Sequence, residues 1–167
     1  MNYAQIRHYD TANGTGIRTT LFVSGCTHNC YNCFNKEYQN FAYGNEFTDK
    51  QIEQIISYVK EEVVSGLTIL GGEPLQQDID TMIDFLKKVR QEVAKPIWIY
   101  SGYTYEEIIA DEDKKRILPY FDILVDGRFV EKLKNLKLKF RGSSNQRIID
   151  VKKSIEQNEI VDISDKL

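Results

Sequence analysis

The chain has 167 residues, of which 41% are hydrophobic and 28% charged, with a formal net charge of −3; this is the balance of a soluble globular domain large enough to bury a core. That net charge does not suggest a nucleic-acid footprint; there is no apolar run near the roughly 20 residues that cross a bilayer, and in MNYAQIRHYDTANG no apolar segment of a secretory signal. The expectation is one domain, 1–167, cytoplasmic, binding neither nucleic acid nor membrane.

Taken in chain order, Asn13-Gly14-Thr15-Gly16-Ile17-Arg18 matches neither the dinucleotide nor the P-loop glycine pattern. It reads as a turn over the rim, with Arg18 meeting a carboxylate, a partner or a surface acid. Arg18–Ser24, RTTLFVS, is dense in β-branched and aromatic residues and predicts a strand ending at Gly25. A loop holding all three cysteines follows. Thr48 is placed to cap a helix over DKQIEQIISYVKEEV, where Ile52, Ile55, Ile56, Tyr58, Val59 and Val63 approximate one face. Leu67–Leu70 is a short buried strand stopped by Gly71-Gly72. DIDTMIDFLKKVRQEV is helical again, with Ile79, Met82, Ile83, Leu86 and Val89 on one face. After Pro96, IWIY is a third strand ended by Ser101-Gly102, and Thr104 caps the helix YEEIIADEDKKRIL. Asp122–Val125 is a fourth strand, ended by Asp126-Gly127. Phe129–Phe140 has no assignable pattern, and Arg147–Val151 is a last strand with a short helix or coil behind it.

Alternation of short apolar strands with helices is the pattern of an α/β fold with a parallel sheet and crossover helices. Such folds carry their sites at the C-terminal strand ends. The cysteine loop, GGEP, YSGY and VDGRF are therefore expected on one rim. The chain is shorter than the roughly 250 residues of an eight-unit barrel, so a partial open (β/α) barrel with a mostly parallel curved sheet is the expected architecture.

SGCTHNCYNCFNK puts Cys26, Cys30 and Cys33 in one polar loop. Three clustered thiols are a poor disulfide framework and point to metal or redox chemistry. Thiolate sulfur favours soft sites, iron–sulfur clusters among them. A structural zinc site completed by His28 or His8 is the alternative, but zinc modules usually show two ligand pairs and this chain has one triplet. Three cysteines leave one iron of a four-iron cube without a protein ligand, so a small molecule is expected to complete it. His28 reads as a loop residue near the site rather than a ligand.

Cys-x3-Cys-x2-Cys after a strand resembles the radical S-adenosylmethionine superfamily. Within it, DTANGTGIRTTLFVSGCTHNCYNCFNK, followed in order by LGGEP, IWIYSGY, DILVDGRF and RGSSNQR, is similar to the glycyl-radical-enzyme activases that serve anaerobic ribonucleoside-triphosphate reductase. The likeness implies a barrel of the radical S-adenosylmethionine type and a [4Fe–4S] cluster on Cys26, Cys30 and Cys33. It implies S-adenosylmethionine on the fourth iron and hydrogen abstraction from one backbone glycine of the reductase large subunit by a 5′-deoxyadenosyl radical. No catalytic side chain is implied. Reduced flavodoxin or a similar acidic donor would supply the electron, with the run KLKNLKLKF from Lys132 as a docking place, although that run also reads as a solvated face.

The resemblance also implies that backbone groups of Gly71, Gly72 and Glu73 hold the cofactor's amino group; an ordinary strand-to-helix turn is the alternative. Ser101 is a candidate for the cofactor ribose or carboxylate, against a plain turn. Asp126 is a candidate for a sugar hydroxyl or a cation, although Asp-Gly is also common turn chemistry and the lysine that related activases carry two positions on is absent. Arg141–Arg147, RGSSNQR, is expected to bind backbone of the site or of the partner. An activase for another glycyl radical enzyme, a small-molecule radical enzyme and a non-enzymatic metal-binding module are the competing functions.

Overall fold

The computed structural model describes residues 1–167. Seven strands form one sheet: β1 Asn2–Asp10, β2 Arg18–Val23, β3 Asn45–Glu46, β4 Gly66–Gly71, β5 Ile97–Tyr100, β6 Ile123–Asp126 and β7 Arg147–Asp150, in the order β3-β1-β2-β4-β5-β6-β7. The helices are α1 Asp49–Val59, α2 Ile79–Glu92, α3 Tyr105–Ile109 and α4 Val151–Gln157. None is long and apolar enough to cross a membrane.

Only the four central strands run parallel, β2 with β4, β4 with β5 and β5 with β6. The flanking pairs, β1 with β2, β1 with β3 and β6 with β7, are antiparallel. The fold is therefore α/β with a mixed sheet, where the sequence predicts a mostly parallel one. The connections explain the difference. A parallel partner needs a crossover of a dozen or more residues, usually with a helix. Residues 11–17 join β1 to β2 without one, and no α-helix lies between β6 and β7.

Period-two alternation sets the two faces of the sheet. Leu21, Val23, Leu67, Ile69, Ile97, Ile99, Leu124 and Ile149 are buried in one core with residues from all four helices. Full burial of each is worth roughly 1.5–3 kcal/mol. Their neighbours Phe22, Leu70, Tyr100 and Val125 line a cavity on the other face. Helices cover one side of the sheet, and loops close over the other.

Two predicted helices end early. The first stops at Val59, where the Lys95 ammonium donates to the carbonyls of Val59, Glu61 and Val64 at 2.7–2.8 Å. The third stops at Ile109, because the Asp111 carboxylate accepts from the backbone N–H groups of Asp113 and Lys114, both at 3.0 Å, and turns the chain.

Arg18 meets no carboxylate and lies on no surface. It is 1% exposed and donates to Thr68 Oγ1 at 2.8 Å and to the carbonyls of Thr15, Leu67 and Pro96 at 3.1, 3.0 and 2.7 Å. It thereby stitches together the N-terminal ends of β2, β4 and β5, and burial pulls its pKa down to about 10. The glycine turn before it lies at the end of β2 opposite the cysteines. From that turn only Ala12 and Asn13 reach the cavity.

Candidate functional site

The C-terminal ends of the four parallel strands open onto one cavity of about 500 Å³. Cys26, Cys30 and Cys33 line it after β2, Gly71–Glu73 after β4, Ser101 and Gly102 after β5, and Gly127–Phe129 after β6. This is the rim that the strand order predicts.

The cysteine loop leaves β2 through two backbone bonds, Gly25 N–H to the Tyr38 carbonyl at 2.7 Å and Cys26 N–H to the Gln39 carbonyl at 3.0 Å. Asn29 and Asn32 take left-handed backbone angles, φ 52° and 53°, which asparagine tolerates better than most residues. The three thiols are free and half-buried. Burial pushes Cys26 up to about 11 and raises Cys30 as well, so both are neutral at pH 7 until a metal cation draws off their protons.

The donor set fits an iron–sulfur cluster. Three soft sulfurs face one cavity, the donor type that iron–sulfur clusters take. His28 does not complete the set, because its Nε2 lies 2.8 Å from Glu73 Oε1. His8 does not join the cysteines either: it is bonded to Glu61 at the surface, where Glu61 also meets the exposed Tyr9.

Gly71 and Gly72 are required by the approach of the chain to itself. A Cβ on Gly71 would stand 2.2 Å from the Val23 carbonyl oxygen, and one on Gly72 would stand 2.6 Å from that of Gly25. The turn is bonded to the end of β2 by Gly72 N–H to Val23 O at 3.0 Å and Glu73 N–H to Gly25 O at 2.7 Å. The Glu73 carboxylate is 1% exposed and accepts four bonds: His28 Nε2 at 2.8 Å and Gly102 N at 2.6 Å on Oε1, Leu75 N at 2.9 Å and Ser101 Oγ at 3.0 Å on Oε2. A carboxylate has about four acceptor positions, so this side chain has none left for a ligand. Ser101 spends its hydroxyl proton on Glu73 and also accepts from Tyr103 N at 3.1 Å.

Asp126 does not reach the cavity. It is 1% exposed; Oδ2 accepts from Tyr105 N at 2.8 Å and Arg147 Nη2 at 2.6 Å, and Oδ1 from Arg147 N and Nε at 3.2 and 3.1 Å. This ion pair occupies both Asp126 oxygens and so counts against reading the side chain as a sugar or cation ligand. Segment Arg141–Arg147 braces the same turn: Gln146 Nε2 donates to the Gly127 carbonyl at 2.9 Å and Asn145 Nδ2 to that of Arg128 at 2.8 Å.

The 4Fe-4S single cluster domain family matches residues 12–149. The anaerobic ribonucleoside-triphosphate reductase-activating protein of Pasteurella multocida (strain Pm70) is 42% identical over 152 residues, covering 89% of this chain and 96% of the relative. The chain belongs to the family of anaerobic ribonucleoside-triphosphate reductase-activating proteins. The proteins of the same name from Escherichia coli (strain K12) and Enterobacteria phage T4 are 38% identical over 150 residues and 36% over 152. They cover 87% and 89% of this chain and 96% and 93% of their own lengths.

Within this activating protein the sequence reading missed the ties between loops. Gln77 Nε2 donates to the carbonyls of Ser24 at 3.1 Å and Gly25 at 3.4 Å. Asn35 Nδ2 donates to Gly71 O at 3.3 Å. Amides in loops have no spacing signature, and nothing in one sequence pairs residues so far apart.

Proposed function

We propose that this activase generates a glycyl radical on anaerobic ribonucleoside-triphosphate reductase, with a [4Fe–4S] cluster held by Cys26, Cys30 and Cys33 and S-adenosylmethionine beside it. The observation that carries the reading is the cavity itself: three thiols without a fourth protein ligand share it with the Gly-Gly-Glu turn. When bound, the reduced cluster and S-adenosylmethionine supply a 5′-deoxyadenosyl radical that takes a hydrogen atom from a backbone glycine of the reductase. The chain's own residues have four tasks. The cysteines anchor the cluster as thiolates. The backbone of Gly71, Gly72 and Glu73 presents polar groups to the cofactor's amino group, a role supported by their place on the cavity wall. Ser101, with its proton committed to Glu73, offers a lone pair to a cofactor donor. Phe22, Leu70 and Val125 make the sheet face of the cavity apolar and exclude water from a reactive radical.

The sheet, parallel at its centre and open at both edges, supports a partial barrel of the radical S-adenosylmethionine type. We place the electron donor, reduced flavodoxin or a similar acidic carrier, at Lys132, Lys134, Lys137 and Lys139; between Arg128 and Arg141 Glu131 is the only acid. The test is anaerobic. Cluster-loaded protein, reductant, S-adenosylmethionine and the reductase large subunit are mixed, and the glycyl radical is read by electron paramagnetic resonance. A radical on the reductase is expected. Its absence there, with a radical formed instead on another glycyl radical enzyme, would reassign the substrate. Protein that binds zinc and cleaves no S-adenosylmethionine would overturn the reading altogether.

A further inference from the structure

We propose that His28 is a positioning residue: its bond to Glu73 locks the cysteine loop to the turns after β4 and β5, so that cluster and cofactor are held in fixed register. This rests on the cluster and cofactor reading above. One carboxylate gathers the three loops. Glu73 belongs to the turn after β4, its partners Ser101 and Gly102 to the turn after β5, and His28 to the cysteine loop after β2. Between Cys26 and Cys33 the loop makes one backbone bond of its own, Cys33 N–H to the Cys30 carbonyl at 3.2 Å. Thr27 is tied to Gln76, but at the exposed surface. His28 provides the buried side-chain anchor, with 5% of its side chain exposed and its partner's 1%.

The ring is clamped as well as bonded. Tyr103 meets it edge-on, with centroids 4.6 Å apart and planes at 72°. The Gly102 backbone presses on it so closely that a Cβ there would stand 2.6 Å from the ring. The glycine of Ser101-Gly102 thus makes room for His28. Because His28 stands between two cluster ligands and Glu73 stands in the turn assigned to the cofactor, slack in this bond moves one site relative to the other. Partners of metal ligands typically carry about 10- to 100-fold in affinity or activity when removed, and a buried bond between charged or polar groups leaves a costly orphan when one side is lost.

The experiment uses anaerobically reconstituted protein carrying wild-type His28, His28→Ala, His28→Gln, Glu73→Gln or the pair His28→Ala with Glu73→Gln. Glutamine places an amide N–H near the position of Nε2. Three quantities are read: iron and sulfide per chain, S-adenosylmethionine affinity from the cofactor-induced change in the reduced cluster's paramagnetic resonance spectrum, and KM against kcat for S-adenosylmethionine cleavage. His28→Ala is expected to weaken cofactor affinity and raise KM by about 10- to 100-fold, with a smaller change in kcat. His28→Gln is expected to recover most of that loss. The double variant is expected to be no worse than the poorer single one, because both remove the same bond. Cofactor affinity within about twofold of wild type in a cluster-loaded His28→Ala protein would overturn the proposal. So would a folded His28→Gln protein that recovers nothing, which remains readable even if the alanine variant fails to fold. Wild-type protein that takes up no cluster or no cofactor would instead overturn the functional reading on which the proposal rests.

Discussion

Replacing Asp126 by alanine separates a structural carboxylate from a cofactor ligand. The side chain is 1% exposed and holds four donors at 2.6–3.2 Å, three of them from Arg147. Breaking a fully buried ion pair costs about 3–5 kcal/mol. Arg147 is 28% exposed and also pairs with Glu106, so solvent and the second acid take up part of that loss and about 2–3 kcal/mol is expected. For a chain of this size each kcal/mol moves Tm by roughly 2–4 °C, which gives a fall of about 4–12 °C for Asp126→Ala. Thermal unfolding of the metal-free protein by circular dichroism measures it. Arg147→Ala should fall comparably, and the double variant should fall by much less than the sum of the two. Any loss of S-adenosylmethionine affinity in Asp126→Ala should be reproduced by Arg147→Ala, since both act by loosening the turn at Gly127. A stability loss below about 0.5 kcal/mol, together with a cofactor affinity lost in Asp126→Ala and kept in Arg147→Ala, would refute this reasoning and return Asp126 to the cofactor.

Gly72→Ala forces a Cβ to within 2.6 Å of the Gly25 carbonyl oxygen, so the turn must part from the cysteine loop; cofactor affinity, titrated on the cluster-loaded protein, should fall at least tenfold, and an unchanged affinity would mean the two loops yield freely. The Cys26 thiol is raised in the fold, above all by burial, to about 11 from 9.0, so its neutral form is the one the fold favours. Its contribution is therefore fully present below pH 9 and lost as pH climbs through 11. Metal-free wild-type protein should lose more Tm between about pH 8.5 and 10.5 than Cys26→Ser, whose hydroxyl does not titrate there; equal losses would contradict the burial argument. Reversing Lys132, Lys134, Lys137 and Lys139 to glutamate should slow reduction by an acidic protein donor and flatten its salt dependence. Reduction by dithionite should be unaffected, and an unchanged rate with the protein donor would move the docking surface elsewhere.

The parallel centre of the sheet was legible because β2, β4, β5 and β6 are short apolar runs closed by glycine, serine or aspartate. β1 was not, because Asn2–Asp10 is half-buried along most of its length and shows no clean alternation. The strand at Arg147 was legible as a strand but not in direction, which depends on a connection without a helix. The cysteine triplet announced its chemistry through spacing alone. Asp126 read ambiguously because Asp-Gly serves both turns and sites, and its arginine lies 21 residues away. The buried Arg18 and the His28–Glu73 bond depend on contacts across 49 and 45 residues, which local patterns do not encode. In each case the residue type was visible and the partner was not.

The most direct test of the central claim is electron–nuclear double resonance on the reduced, cluster-loaded protein with S-adenosylmethionine labelled with nitrogen-15 at the amino group and oxygen-17 at the carboxylate. Three cysteine ligands and a cofactor-bound fourth iron predict resolved coupling from both labels, together with loss of the cluster in each of Cys26→Ala, Cys30→Ala and Cys33→Ala. No coupling from either label, or a histidine nitrogen coupled in their place, would contradict it.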